Sequence, residues 1–229
     1  MVTKGRGTLL LLLVSSLVLY RNVASHSSCI KGAQCQVTLQ SLYSEATSLS
    51  SLMYARSSLL IRDFNKRFSH TPSFMPTIIT CHTVIIPTPA GGEAARLMQH
   101  KDIINAVIRL LHSWNEPLEY LAQEAHLPKF NHSLSCQAEI IADENHQLQE
   151  ITSQIANQFF DPKIAKYVDY ALWPGHQSFK SFEEQTRPLA VYNTLRCLFN
   201  DTKRINNLLQ FLKCQESTDN SCKSHLRSF

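Results

Sequence analysis

Two histidine–glutamate pairs, His112 with Glu116 and His146 with Glu150, have a spacing suited to acid–base or metal chemistry. Residues four apart share one face of a helix. A base and its orienting acid, or two metal ligands, need that arrangement. Neither pair completes an HExxH motif, and neither sits in a Gly-rich or strand–helix context. Both therefore read as ordinary exposed helix pairs, and no enzyme activity, cofactor or metal site is expected. Trp114 and Trp173 read as core rather than as a ligand cage.

The seven cysteines carry more information. Cys29, Cys35, Cys81, Cys197, Cys214 and Cys222 lie near the ends of the chain or in a central link, with no CxxC pair and no tight Cys/His cluster. Disulfides fit this pattern better than a zinc site. Spacing alone leaves every pairing of the six open. Cys136 is left over, as a free thiol or an intermolecular bridge. Two sequons offer N-glycan acceptors, Asn131 ahead of Ser133 and Asn200 ahead of Thr202. Lys203 and Arg204, with Lys223, His225 and Arg227 further on, form short basic clusters that suit either solvent or heparan sulfate.

These features fit an exported chain. Lys4 and Arg6 precede an uncharged apolar run from Leu9 towards Tyr20, and small residues follow at Ala24 and Ser25. Residues 1–25 thus read as a secretory signal peptide cleaved before His26, since the apolar run is too short to span a bilayer. Residues 26–229 then form one domain. Lys4, Arg6 and Arg21 leave with the signal, so the formal charge falls from +4 to +1, with 19 basic residues against 18 acidic. A balance so near neutral argues neither for nor against nucleic acid or a membrane surface.

Four long segments with helical apolar spacing must position these residues. They are predicted at about Thr38–Phe68, Ala94–Ala125, Ser133–Phe160 and Phe182–Cys214, with Pro117 kinking the second and Pro162 helping to end the third. The links run about 25, 8 and 20 residues; a long, short, long pattern implies an all-α, up-up-down-down four-helix bundle with two long crossovers. The first crossover carries Pro72, Pro76, Pro87, Pro89, Gly91 and Gly92 and is expected to hold little regular helix.

Five segments, in order, resemble the prolactin and growth hormone family: CQVTLQSLYSEA from Cys35, FNKRFSH from Phe64, CHT from Cys81, LHSWNEPLEYL from Leu111 and CLFNDTKRINNLLQFLKC from Cys197. The resemblance implies a cytokine bundle with disulfides Cys29–Cys35, Cys81–Cys197 and Cys214–Cys222. It also implies a secreted ligand that draws together two class I cytokine receptor chains carrying a Janus kinase. A first receptor face would combine the first and fourth helices with part of the crossover, near Lys203, Arg204, Ile205 and Lys213. A second would use the first and third helices.

This chain departs from the family pattern on both faces. Family histidines of the first face align with Ser51, Tyr54 and Lys203, an aspartate with Asn206, and a glycine of the second face with Glu150. Loss of the histidines removes any pH-sensitive contact there. A charged, bulky Glu150 obstructs close approach of a second receptor. A glycan on Asn200 would cover the first face. The leading expectation is therefore a reproductive, placental or decidual paralogue that has diverged from the prolactin receptor towards another class I receptor. An orthodox lactogen that dimerises the prolactin receptor and a heparan-sulfate- or matrix-binding factor are the alternatives.

Overall fold

The computed structural model describes residues 38–68, 80–124, 132–174 and 187–217. The first helix, α1, spans Leu39–Phe68. Thr38 caps it: its Oγ1 accepts from the Ser41 amide at 3.1 Å, and the Ser41 hydroxyl donates back to the Thr38 carbonyl at 2.8 Å. The Ser41 amide, one of the first-turn N–H groups with no partner inside the helix, is thereby satisfied. A short 3₁₀ turn, His82–Ile85, and the helix α2, Gly92–Leu97, punctuate the crossover.

The second long helix is interrupted near Pro117, where a kink is expected, but it does not start at Ala94 as its apolar spacing suggests: Met98 and Gln99 separate α2 from it. It consists of α3, His100–Ser113, and α4, Asn115–Glu124, with Trp114 between them. Pro117 explains the interruption. It has no N–H to offer the Ser113 carbonyl four residues back. His82 Nε2 donates to that carbonyl instead, at 3.0 Å, because a carbonyl can only accept. The Leu111 carbonyl, two residues earlier, takes the Asn145 side-chain amide at 3.1 Å. The kink thus turns backbone acceptors towards neighbouring elements.

The third long helix, α5, spans His132–Phe159. Pro162 does follow its end, but it also opens the short helix α6, Pro162–Lys166, at whose N-cap Asp161 accepts from the Lys163 amide at 2.9 Å. Proline suits a first helical turn because its missing N–H would go unpaired there anyway. The last helix, α7, spans Arg187–Glu216. No strand occurs among the described residues, and none of their helices is long and apolar enough to cross a membrane.

Contacts fix the directions. Lys213 meets Thr47, Asn206 meets Ser51, Thr202 meets Ser57 and Tyr192 meets Phe64, so α7 descends as α1 ascends. His100 near Glu216 and Trp114 on Asp201 make α3 antiparallel to α7 as well. The short link from α4 to α5 leaves those neighbours antiparallel. The bundle is therefore up-up-down-down, as the link lengths imply. Its core gathers Tyr43 and Met53 from α1, Ile104 and Leu111 from α3, Leu148 and Ile155 from α5, and Leu209 and Phe211 from α7, all essentially without solvent contact. Each such apolar side chain contributes about 1.5–3 kcal/mol by leaving water.

Candidate functional site

The seam between α1 and α7 is closed by hydroxyls and amides. Asn206 Oδ1 lies 2.9 Å from Ser51 Oγ and 3.1 Å from Ser50 Oγ. The single proton of the Ser51 hydroxyl is shared between Asn206 and the Thr47 carbonyl, 2.7 Å away, and Gln210 donates to its oxygen at 3.4 Å. One turn along, Ser57 and Thr202 share a hydrogen bond of 2.6 Å. The Tyr54 ring packs on Phe199 at 5.6 Å, and Lys213 Nζ approaches the Thr47 hydroxyl at 3.4 Å. Ser51 and Asn206 are therefore partners of one another, and Tyr54 and Lys213 contact Phe199 and Thr47 beside them, all four positions half-buried along a single ridge.

A buried carboxylate holds the crossover against this ridge. Asp201, 1% exposed, accepts from Thr83 Oγ1 at 2.6 Å, from Trp114 Nε1 at 2.9 Å and from Arg204 at 2.8 Å. Arg204 also donates to Thr88 Oγ1 and to the Ile86 carbonyl. Such pairing is what a carboxylate requires once it has left water. The Cys81–Cys197 disulfide, with Cα atoms 5.6 Å apart, adds a covalent tie across 116 residues. His82 packs edge-on against Trp114 at 5.2 Å. Burial pushes its pKa below the usual imidazole value, overcoming the opposite pull of the Ser113 carbonyl, Asp201 and Glu116. Where the pinned crossover meets α7, Thr88, Pro89, Ala90 and Gly91 face Asn200, Lys203 and Asn207 across a cleft of about 530 Å³.

The structure sorts the sequence-derived candidates. Ser51, Tyr54, Asn206 and Lys213 converge on the ridge, with Lys203 exposed beside it. Arg204 is turned inward to Asp201. Ile205 does not belong on the exposed face, because its side chain is core and only 1% exposed. Glu150 is exposed on α5. Asn200 is exposed, while its sequon partners Asp201 and Thr202 are buried. Cys136 is free and exposed, and Cys214 is disulfide-bonded. Cys29, Cys35, Cys222, Asn131, the signal segment and the basic tail lie outside the described residues. No cluster that would bind a metal occurs among the described residues. His112 stacks on Tyr170 at 6.1 Å.

Thr83 and the central role of Asp201 are not evident from spacing arguments, although one signal was available. Asp201 falls three residues after Leu198 and four before Ile205, on the apolar stripe of α7. A charge on such a stripe marks a buried, paired group.

An all-α bundle with two long crossovers, the first held to the last helix by a disulfide, is the architecture on which the sequence comparison bears. The chain matches the model of the somatotropin hormone family over residues 12–222. It belongs to the somatotropin hormone family. Somatotropin family hormones are secreted, non-enzymatic signalling ligands that bind class I cytokine receptors. The ridge of α1 and α7 with its crossover is therefore the candidate receptor face of a family member.

Proposed function

We propose that this chain is a secreted reproductive hormone of the somatotropin family, placental or decidual in type, that engages a class I cytokine receptor other than the prolactin receptor. The signal segment 1–25 is removed, and residues 26–229 form the hormone. The observation that carries this reading is the Ser51–Asn206 hydrogen bond of 2.9 Å. Where the resemblance expects a histidine and an aspartate directed at a receptor, this chain has a hydroxyl and an amide that satisfy one another. Lys203 stands where another such histidine is expected. A receptor shaped for imidazoles and a carboxylate would lose those charge-assisted contacts, which carry much of an interface's specificity. Glu150, exposed on α5, supports a one-sided ligand, since a second receptor chain would have to desolvate it.

Heparan sulfate is the weaker partner. Arg204 is committed to Asp201 and the crossover, so Lys203 is the exposed cation of that pair.

Binding of the secreted protein to prolactin receptor ectodomain, before and after N-glycan removal, tests the proposal. No binding by either form is expected, with binding gained by the combined Ser51→His, Tyr54→His, Lys203→His and Asn206→Asp variant. Tight binding by the unaltered protein would overturn it in favour of an orthodox lactogen.

A further inference from the structure

The sequon at Asn200 is divided by the helix that contains it. Residues two apart on a helix point to nearly opposite sides. In α7 this leaves Asn200 exposed and buries Thr202 to 1% exposure, its hydroxyl engaged with Ser57 at 2.6 Å and with the Phe199 carbonyl at 3.1 Å. Asp201 between them is held by Thr83, Trp114 and Arg204. A glycosylating enzyme must reach both the acceptor amide and the hydroxyl two residues on, because the acceptor motif is defined by the two together. The folded bundle presents the amide and withholds the hydroxyl.

We infer that Asn200 is glycosylated only before α7 packs against α1, and that closure of the Cys81–Cys197 disulfide ends its availability. The bond formed joins Asn200 Nδ2 to the anomeric carbon of an oligosaccharide. The bond broken joins that carbon to a lipid diphosphate, which leaves with the electron pair, while the amide loses a proton. Cys197 lies three residues before Asn200, so its disulfide anchors the same turn of α7 to the crossover.

The timescales meet. At roughly 5–20 residues per second, the 30 residues of α7 are delivered over about 2–6 s. Disulfide formation begins on the scale of seconds. At the fast end of the disulfide range the two processes compete, and the product is then a mixture of two glycoforms. Both forms fold, because Asn200 opens onto the cleft beside Lys203, Thr88 and Gly91, where an attached sugar has room. The glycosylated form carries its sugar over the crossover edge of the candidate receptor face, so folding speed sets how much ligand has that edge uncovered. This inference rests on export of the chain, one part of the function proposed above.

Cell-free synthesis of the full chain with microsomes tests it, in an Asn131→Gln background so that one glycan is scored. Chains protected from added protease report export, and a band shift reversed by N-glycosidase reports occupancy of Asn200. Partial occupancy is expected in oxidising buffer, rising about twofold or more in dithiothreitol, as expected when disulfide closure and modification compete on similar timescales. Cys81→Ser should raise occupancy in oxidising buffer to the reduced level. The readout does not require the variant to fold. Protected chains with equal occupancy in both buffers, whether full or nil, would overturn the inference and leave the hormone reading intact. Absence of protected chains would overturn both.

Discussion

Trp114 donates its indole N–H to Asp201 Oδ2 at 2.9 Å, joining the break between α3 and α4 to the middle of α7. Thr83 donates to the same oxygen at 2.6 Å, so one atom holds the crossover, the second helix and the last helix together. Pro117 makes this arrangement possible. By interrupting the helix at Trp114, it leaves the Ser113 carbonyl to His82 and gives the 3₁₀ turn of the crossover a second anchor.

Replacing Asp201 with Ala should therefore cost about 2–5 kcal/mol, because it leaves two buried donors, Trp114 Nε1 and Thr83 Oγ1, without their acceptor, while Arg204 keeps Thr88 and the Ile86 carbonyl. Urea unfolding followed by circular dichroism checks this. Thr83→Val removes one donor and should cost about 1–2 kcal/mol, since its partner retains other contacts.

Acid should weaken the bundle in a defined window. Burial lowers the pKa of His82 and, with the nearby His146 charge, that of His112, so both remain neutral in the fold at pH values where the unfolded chain takes up protons. Their contribution is complete above the ordinary histidine value of 6.5 and is lost as pH falls below it towards the lowered folded values. Glu144 acts in the opposite sense: burial raises its pKa above 4.5, so its effect on stability improves as pH falls through the raised value. Thermal melts at about pH 7.5 and 5.5 should show a lower Tm at the acid value, and His82→Gln should reduce that difference.

The Arg56–Glu144 contact, 2.7 Å between α1 and α5, gives a third expectation. Glu144 is nearly buried and its Oε2 lacks a partner, whereas Arg56 is about one-third exposed and partly screened by solvent. Burial outweighs the arginine in setting the Glu144 pKa. Arg56→Ala should cost about 1–3 kcal/mol by leaving the carboxylate alone. The double change Arg56→Met with Glu144→Leu should cost less than Arg56→Ala by itself, because neither charge then has to leave water. Chemical denaturation of the three proteins decides the order.

The sequence by itself determined the all-α class, the four long helical segments, their up-up-down-down order and an irregularity near Pro117. These are local properties: apolar spacing, proline chemistry and link length act within a few turns of chain. The family resemblance added the pairing of Cys81 with Cys197, which spacing leaves open. Tertiary structure decided which side of each helix meets which neighbour. Ile205 shows the difference, since it fits both the apolar stripe of α7 and the candidate receptor face, and only packing against the other helices assigns it to the core. The mutual satisfaction of Ser51 and Asn206, 155 positions apart, and the partners Thr83 and Trp114 that the buried Asp201 finds are likewise invisible locally. A helical period gives the width of an apolar face, but rotation about the helix axis and the partner across it follow from close packing of the whole bundle.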